Sequence, residues 1–280
     1  MKQKQNIEWS EMSINAITGC NGPEGQRCYG CYAERIAMRF AGINGYPADD
    51  PFRPTWHPHR LKNITKRRKA TVWFFGSMCE WLDDGVESSW RRSCLGVMAG
   101  KTEDIFITLT KQYKNLWKAV YDSPGGIDRG GLVGVLPKNV ILGISVTKRS
   151  QVWGINELKK TKAYCKVISF EPLLEDISNI VYLDGIDWII IGARSKQPGI
   201  GHLPATPAFK PPNFWVKQLI KKAQDAGAYV FLKPNLGDYV SDGLCDEKME
   251  EYPFEMVNGF LRFKKRIIDM RRLKQEPEEP

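Results

Sequence analysis

Short apolar runs alternate with longer stretches of helical periodicity along most of the chain. Strands are predicted over Ile14–Gly19, Val72–Ser77, Ile105–Thr110, Val140–Val146, Val167–Phe170, Trp188–Gly192 and Tyr229–Lys233. Each is bounded by Gly, Pro, Asp or charged residues, and most are rich in Ile, Val, Phe or Trp. Helices are predicted over Tyr32–Phe40, Glu87–Ala99, Gln112–Tyr121, Val152–Lys162 and Asn213–Ala226, the last framed by Pro211-Pro212 and Gly227. Apolar strands separated by helices predict an α/β protein with a parallel sheet covered by helices. Right-handed crossovers leave two arrangements, a (β/α) barrel or a doubly wound sheet. Polar residues recur at the strand ends, at Cys20, Ser77, Thr110, Ser145, Glu171 and Lys233. That pattern favours the barrel, whose C-terminal rim is where side chains converge for chemistry.

Two long segments do not belong to a bare barrel. Gly42–Lys69 and Gly192–Pro212 are rich in Pro and Gly and are expected as inserted loops, the second capping the rim. The barrel is expected to span residues 1–240, with 241–280 as an extension that packs on it or trails from it. The segment Leu273–Pro280 is polar and expected to fray.

Length and composition fit a soluble globular domain: 280 residues, 42% hydrophobic and 26% charged. The most apolar stretches, such as Trp188–Gly192, are far too short to cross a membrane. The opening MKQKQNIEWS has neither an apolar run nor a small-residue cleavage site, so cytoplasmic residence is the expectation. The net charge of +9 points to polyanions such as nucleic acid. Much of it is local, in Lys66-Arg67-Arg68-Lys69, Lys264-Lys265-Arg266 and Arg271-Arg272, and a solvated basic face accounts for it as well.

Three of the seven cysteines, Cys20, Cys28 and Cys31, fall within twelve residues, after the first predicted strand and before the first predicted helix. Between them, Asn21-Gly22-Pro23-Glu24-Gly25 is turn chemistry that lets the chain fold back. Thiolates in such a loop are iron–sulfur ligands, and three of them leave one iron of a four-iron cluster open. A structural zinc ion needs a fourth ligand, which His57, His59 or Cys79 can supply. The third reading is inert thiols packed as small hydrophobes. Cys94, Cys165 and Cys245 have no partners nearby in sequence and read as structural. No Gly-x-Ser-x-Gly or His-Glu-x-x-His motif supports a hydrolase.

The Gly-Cys…Cys-x-x-Cys-Tyr-Ala-Glu pattern, preceded by Ile7-Glu8-Trp9, resembles the phage gene-product 37/68 family, itself similar to radical S-adenosylmethionine proteins. Further matching stretches are His57–Leu61, Phe75–Met78, Leu109–Lys111, Leu142–Val146, Ser169–Leu174, Asp187–Gly192, and Lys233 with Gly237. The resemblance implies a partial or full TIM-type barrel in which a 4Fe-4S cluster on Cys20, Cys28 and Cys31 chelates S-adenosylmethionine. The implied chemistry is one-electron cleavage of the sulfonium to a 5′-deoxyadenosyl radical, with a flavodoxin- or ferredoxin-like electron donor; the positive charge and the aromatic-rich rim, and not the resemblance, motivate a nucleotide or nucleic-acid substrate. Ser77 and Glu80 are then candidates for the methionine end, Ser145 and Glu171 for the ribose or carboxylate, and Lys233 for an anionic group. The competing reading is a zinc-stabilised nucleic-acid-binding barrel without radical chemistry. Two departures stand out. Seven residues separate Cys20 from Cys28, more than in the commoner radical loop, and Lys148 and Arg194 stand where the family tends to carry acids.

Overall fold

A computed structural model gives the architecture, and it describes residues 7–124, 127–128, 131–132, 135–237, 249–257 and 260–264. Seven strands form one all-parallel sheet: β1 (Met12–Ile14), β2 (Val72–Phe75), β3 (Ile105–Thr110), β4 (Val140–Ser145), β5 (Cys165–Phe170), β6 (Trp188–Ile191) and β7 (Tyr229–Leu232). Their order in space is their order in sequence. A doubly wound sheet reverses direction at a switch point, whereas a sheet that never reverses winds one way and curls toward a barrel. The α/β barrel expectation therefore holds. The barrel is partial, since β1 and β7 do not pair with each other and remain the two ends of one sheet.

The first predicted strand is corrected. Pairing with β2 stops at Ile14, a two-residue bridge at Ile17–Thr18 turns aside to pair antiparallel with Thr55–Trp56, and parallel pairing resumes only between Gly19 and Cys79. The helices are α1 (Tyr32–Arg39), α2 (Ser88–Gly100), α3 (Leu116–Tyr121), α4 (Gly154–Lys160) and α5 (Asn213–Asp225), so the long helix predicted from Gln112 starts instead as a 3-10 turn at Tyr113–Asn115. Their apolar stripes (Cys94, Leu95 and Met98 on α2, Ile155 and Leu158 on α4, Val216, Leu219 and Ala223 on α5) pack against one face of the sheet. No helix covers the β5–β6 crossover; buried Leu173, Ile177, Val181, Leu183 and Ile186 fill that part of the layer.

The opposite, concave face carries Val72, Phe74, Ile105, Ile107, Ile141, Val167, Trp188, Ile190 and Phe231. It is filled from both ends of the chain. Trp9 stacks edge-on against Phe74 with centroids 4.6 Å apart, and Tyr252 and Phe254 meet Trp188 at 5.8 and 6.1 Å. Tyr252 and Phe254 precede and open a hairpin, β8 (Phe254–Val257) and β9 (Phe260–Phe263), and residues 249–251 hydrogen-bond along the outer edge of β7. The described part of the C-terminal extension thus packs on the barrel. Cys245, the basic residues 265–272 and the tail 273–280 lie outside the described residues.

Candidate functional site

Side chains alternate between faces along a strand. On the concave face the alternation runs Ile107 and Leu109, Ile141 and Gly143, Val167 and Ser169, Ile190, and Phe231. Continued to the end of β4 and one residue past the other strands, it places Lys111, Ser145, Glu171, Gly192 and Lys233 around the inner mouth at the C-terminal end. Of the polar residues noticed at the strand ends, Ser145, Glu171 and Lys233 therefore share one layer above the aromatic plug, whereas Ser77 and Thr110 follow the opposite alternation, that of Phe75 and Phe106.

Glu171 and Lys233 form an ion pair across Gly192, and Lys233 also reaches Glu8 Oε2 at 3.2 Å. A Cβ on Gly192 would stand 3.0 Å from Glu171 Cγ and 3.1 Å from Lys233 Cδ, so glycine makes the space this pair occupies. The two neighbouring carboxylates push the Lys233 ammonium above its ordinary pKa despite burial. Lys233, expected to meet an anionic group, thus pairs with two acids of the chain itself. Ser145, buried at the end of β4, stands opposite Ser169 of β5, and its carbonyl accepts a 2.5 Å bond from Tyr113 Oη.

Glu80 is buried and starts no helix, since α2 begins at Ser88. Its carboxylate accepts from Thr110 Oγ1 at 2.6 Å, the Lys111 amide at 2.8 Å and the Leu82 amide at 3.3 Å. It therefore braces the ends of β2 and β3. Burial pushes its pKa up. The Ser77 hydroxyl is bonded to the Asn15 amide group at 3.0 and 3.2 Å.

The cysteine loop lies on this rim. The Glu80 amide donates to the Gly19 carbonyl at 3.1 Å, which sets Cys20 beside Glu80. Gly22 has φ +90°, and a Cβ there would stand 2.0 Å from the Gln26 carbonyl oxygen, so the fold-back requires glycine. The Gly22 amide donates to Cys20 Sγ at 3.0 Å. Cys31 precedes the first residue of α1, and the Ala33 and Glu34 amides favour its thiolate, although burial outweighs them and pushes the thiol up. Burial, with Glu80 next, also raises Cys20. Cys28 lies within electrostatic reach of both other thiols, and all three are free and partly exposed.

Three free thiols on a glycine-turned loop, Cys28 within electrostatic reach of the other two and an amide donating to Cys20 Sγ, suit an iron–sulfur cluster, whose potential such donors tune. A single tetrahedral zinc ion asks for sulfurs only about 3.8 Å apart at its usual bond length. Among the described residues no three His, Cys, Asp or Glu side chains are gathered around one ion position. A cluster binds each cysteine through a different iron and spreads its ligands wider. His57, one of the candidate fourth zinc ligands, is buried with its Nε2 2.8 Å from Thr18 Oγ1. Cys94 and Cys165 are buried in α2 and β5, as expected of packing thiols.

Sequence reasoning missed four residues here. Tyr32 donates its hydroxyl to the Ser77 carbonyl while 44% of the residue stays exposed. Arg27 donates to the Cys20 carbonyl at 3.1 Å and pairs with Glu34 and Asp50. Arg35, 2% exposed, donates to the carbonyls of Pro198 (2.6 Å) and Pro204, tying the loop after β6 onto α1. Glu8 supplies the third charge of the mouth. Tyr32 and Glu8 stood inside the quoted motifs; Arg27 and Arg35 gave no signal. Between the cysteine loop and the cap lies a cavity of about 520 Å³, bordered by Arg27, Cys28, Tyr29, Arg35 and His202.

The sequence model of the DUF5131 family, described as proteins of unknown function, matches residues 4–274. The chain belongs to that family. No curated protein matches it. Among solved structures, spore photoproduct lyase complexed with dinucleoside spore photoproduct is similar with a TM-score of 0.47 and 9% identity, covering 79% of this chain and 76% of that one. A cysteine-to-serine mutant of the same lyase gives 0.49 and 10%, covering 83% and 80%.

Proposed function

We propose that the chain is a radical S-adenosylmethionine enzyme of the kind its cysteine loop resembles in the phage gene-product 37/68 family, acting on a nucleotide or nucleic acid. The observation that carries the reading is the placement of Cys20, Cys28 and Cys31 on one tightly turned loop at the mouth of a singly wound barrel, with Cys28 within electrostatic reach of the other two. When bound, a 4Fe-4S cluster and S-adenosylmethionine supply one-electron cleavage of a carbon–sulfur bond and a radical that abstracts a hydrogen atom.

The chain's own residues hold and orient. Cys20, Cys28 and Cys31 ligate the cluster. Glu171 accepts from ribose hydroxyls, with Lys233 fixing its carboxylate. Ser145 offers a hydroxyl at the neighbouring strand end. Ser77, locked by Asn15, and Glu80, braced against Thr110, shape the wall that receives the methionine end. The plug of Trp9, Tyr252 and Phe254 keeps water from entering beneath the reacting groups. A flavodoxin- or ferredoxin-like donor supplies the electron. Cytoplasmic residence belongs to the same reading: six free thiols among the described residues suit a reducing compartment, and no described helix is long and apolar enough to cross a membrane.

Metal analysis of anaerobically purified protein tests this. The expected result is about four irons per chain, a brown colour, and loss of both in the C20A/C28A/C31A variant. One equivalent of zinc in a colourless protein, or iron that survives the triple substitution, overturns it.

A further inference from the structure

At the rim the acids, Glu8 and Glu80 included, are held by internal donors, while several cations have no carboxylate within ion-pair distance among the described residues. The acids there are engaged: Glu171 with Lys233, Asp83 with the amides of Asn21 and Gly85, Glu175 with the Arg149 amide, and Asp176 with Ser178. The cations are not matched in the same way. Lys111, Lys148 and Lys196 form no ion pair with the described residues, and Arg194 turns through Nε to the Pro207 carbonyl at 3.0 Å, without a carboxylate. These four follow β3, β4 and β6, so they spread over an arc of the mouth wider than one nucleotide's phosphate group.

Exposed rings stand at the same end. Tyr29 is 70% exposed on the cysteine loop, and Tyr32 is 44% exposed with its hydroxyl anchored to the Ser77 carbonyl. An exposed flat aromatic is a stacking platform for a base, and only an unpaired strand has bases free to stack. The interior below is closed by the plug, so a ligand lies across the mouth instead of descending into it.

We propose that this rim is a track for single-stranded nucleic acid, with phosphates along Lys148, Arg194 and Lys196 and bases stacking on Tyr29 and Tyr32. One nucleotide is then offered to Lys111 and the inner mouth. The inference rests on the proposed radical chemistry only for what happens to that nucleotide; the track itself is a property of the rim.

Fluorescence anisotropy with labelled DNA and RNA strands of about 12 nucleotides, within the usual site size, tests it on the anaerobically purified full chain. Binding of the single strand should exceed that of a duplex and of a mononucleotide by at least tenfold. K148E/K196E, both exposed and unpaired, should weaken it at least tenfold and flatten the dependence on log salt by about 2, one for each phosphate that is no longer neutralised. Y29A should weaken it severalfold without changing that slope. Equal affinity for duplex, competition by mononucleotide at equal concentration, or an unchanged K148E/K196E variant overturns the track. Iron content is read on the same samples: K148E/K196E keeps iron, and C20A/C28A/C31A keeps strand affinity, so a failure of the track and a failure of the cluster appear in different variants.

Discussion

Glu8, near the start of the described chain, and Lys233, just beyond the last strand of the barrel, meet at 3.2 Å in the mouth. Lys233 also carries Glu171, so one ammonium holds two carboxylates from distant parts of the sequence. The arrangement leaves a net negative charge that is already oriented and hydrogen-bonded. A ligand donating hydroxyl or amino groups finds the site formed.

Removing the ammonium leaves two carboxylates facing each other. K233M should therefore lower stability by about 2 kcal/mol, less than for a fully buried pair because Glu8 is a third exposed. E8Q, which keeps a hydrogen-bond acceptor, should cost under about 1 kcal/mol. Urea melts of the two variants decide this, and equal effects would show that Glu8 and Lys233 are not coupled.

Arg35 ties the cap to α1 through two backbone carbonyls. R35M should destabilise by about 3 kcal/mol, since hydrogen bonds to a buried charge are worth more than neutral ones. R35K should not restore it, because an ammonium cannot span both carbonyls as the planar fork does. Hydrogen exchange should rise first over residues 197–206. Protection there that stays unchanged would mean the cap is held by other contacts.

The cysteine loop separates two glycines that sequence alone treats alike. Gly22 and Gly25 both have positive φ, yet a Cβ on Gly22 meets Gln26 backbone at 2.0 Å and one on Gly25 meets nothing within 4 Å. G22A should reduce bound iron severalfold by displacing the loop. G25A should keep iron and cost only about 1 kcal/mol of backbone strain. Iron per chain after anaerobic purification gives the comparison.

Burial first, then the Arg60 and His59 charges, holds His57 down to about 4. Between that value and the unfolded value near 6.5 the unfolded chain binds the extra proton, so stability is complete above about pH 6.5 and falls as the pH drops toward 4. The loss levels off below the folded pKa and reaches up to about 3 kcal/mol. In H57Q that part of the pH profile should be flat, as chemical denaturation across pH 4–7 will show.

Much of this fold was legible because the strands are continuous apolar runs, and six of the seven lie within two residues of their predicted limits. The first was not, because Asn15 and Ala16 look like ordinary strand residues while the chain in fact turns aside to meet Thr55–Trp56. At the site, the cysteine spacing and the strand-end Glu171 and Lys233 were visible as local pattern. What Glu171 and Lys233 do to each other was not, since nothing local relates a residue after β5 to one after β7 or to Glu8. Arg35 is the clearer case. A lone arginine in an amphipathic helix reads as solvated, and only the distant prolines make it a buried tie.

The rings that fill the concave face come from opposite ends of the described chain: Tyr252 hands its hydroxyl to the Glu8 carbonyl at 3.3 Å, and Phe254 and Trp9 flank the same tryptophan, Trp188. The hollow therefore cannot be completed during synthesis until residues 249–263 have left the ribosome. Up to that moment the sheet presents an open aromatic trough, and the final closing step joins segments separated by nearly the whole chain. Closure of the trough is accordingly gated by residues 249–263, and a chaperone that shields it would act on the nascent chain before they emerge.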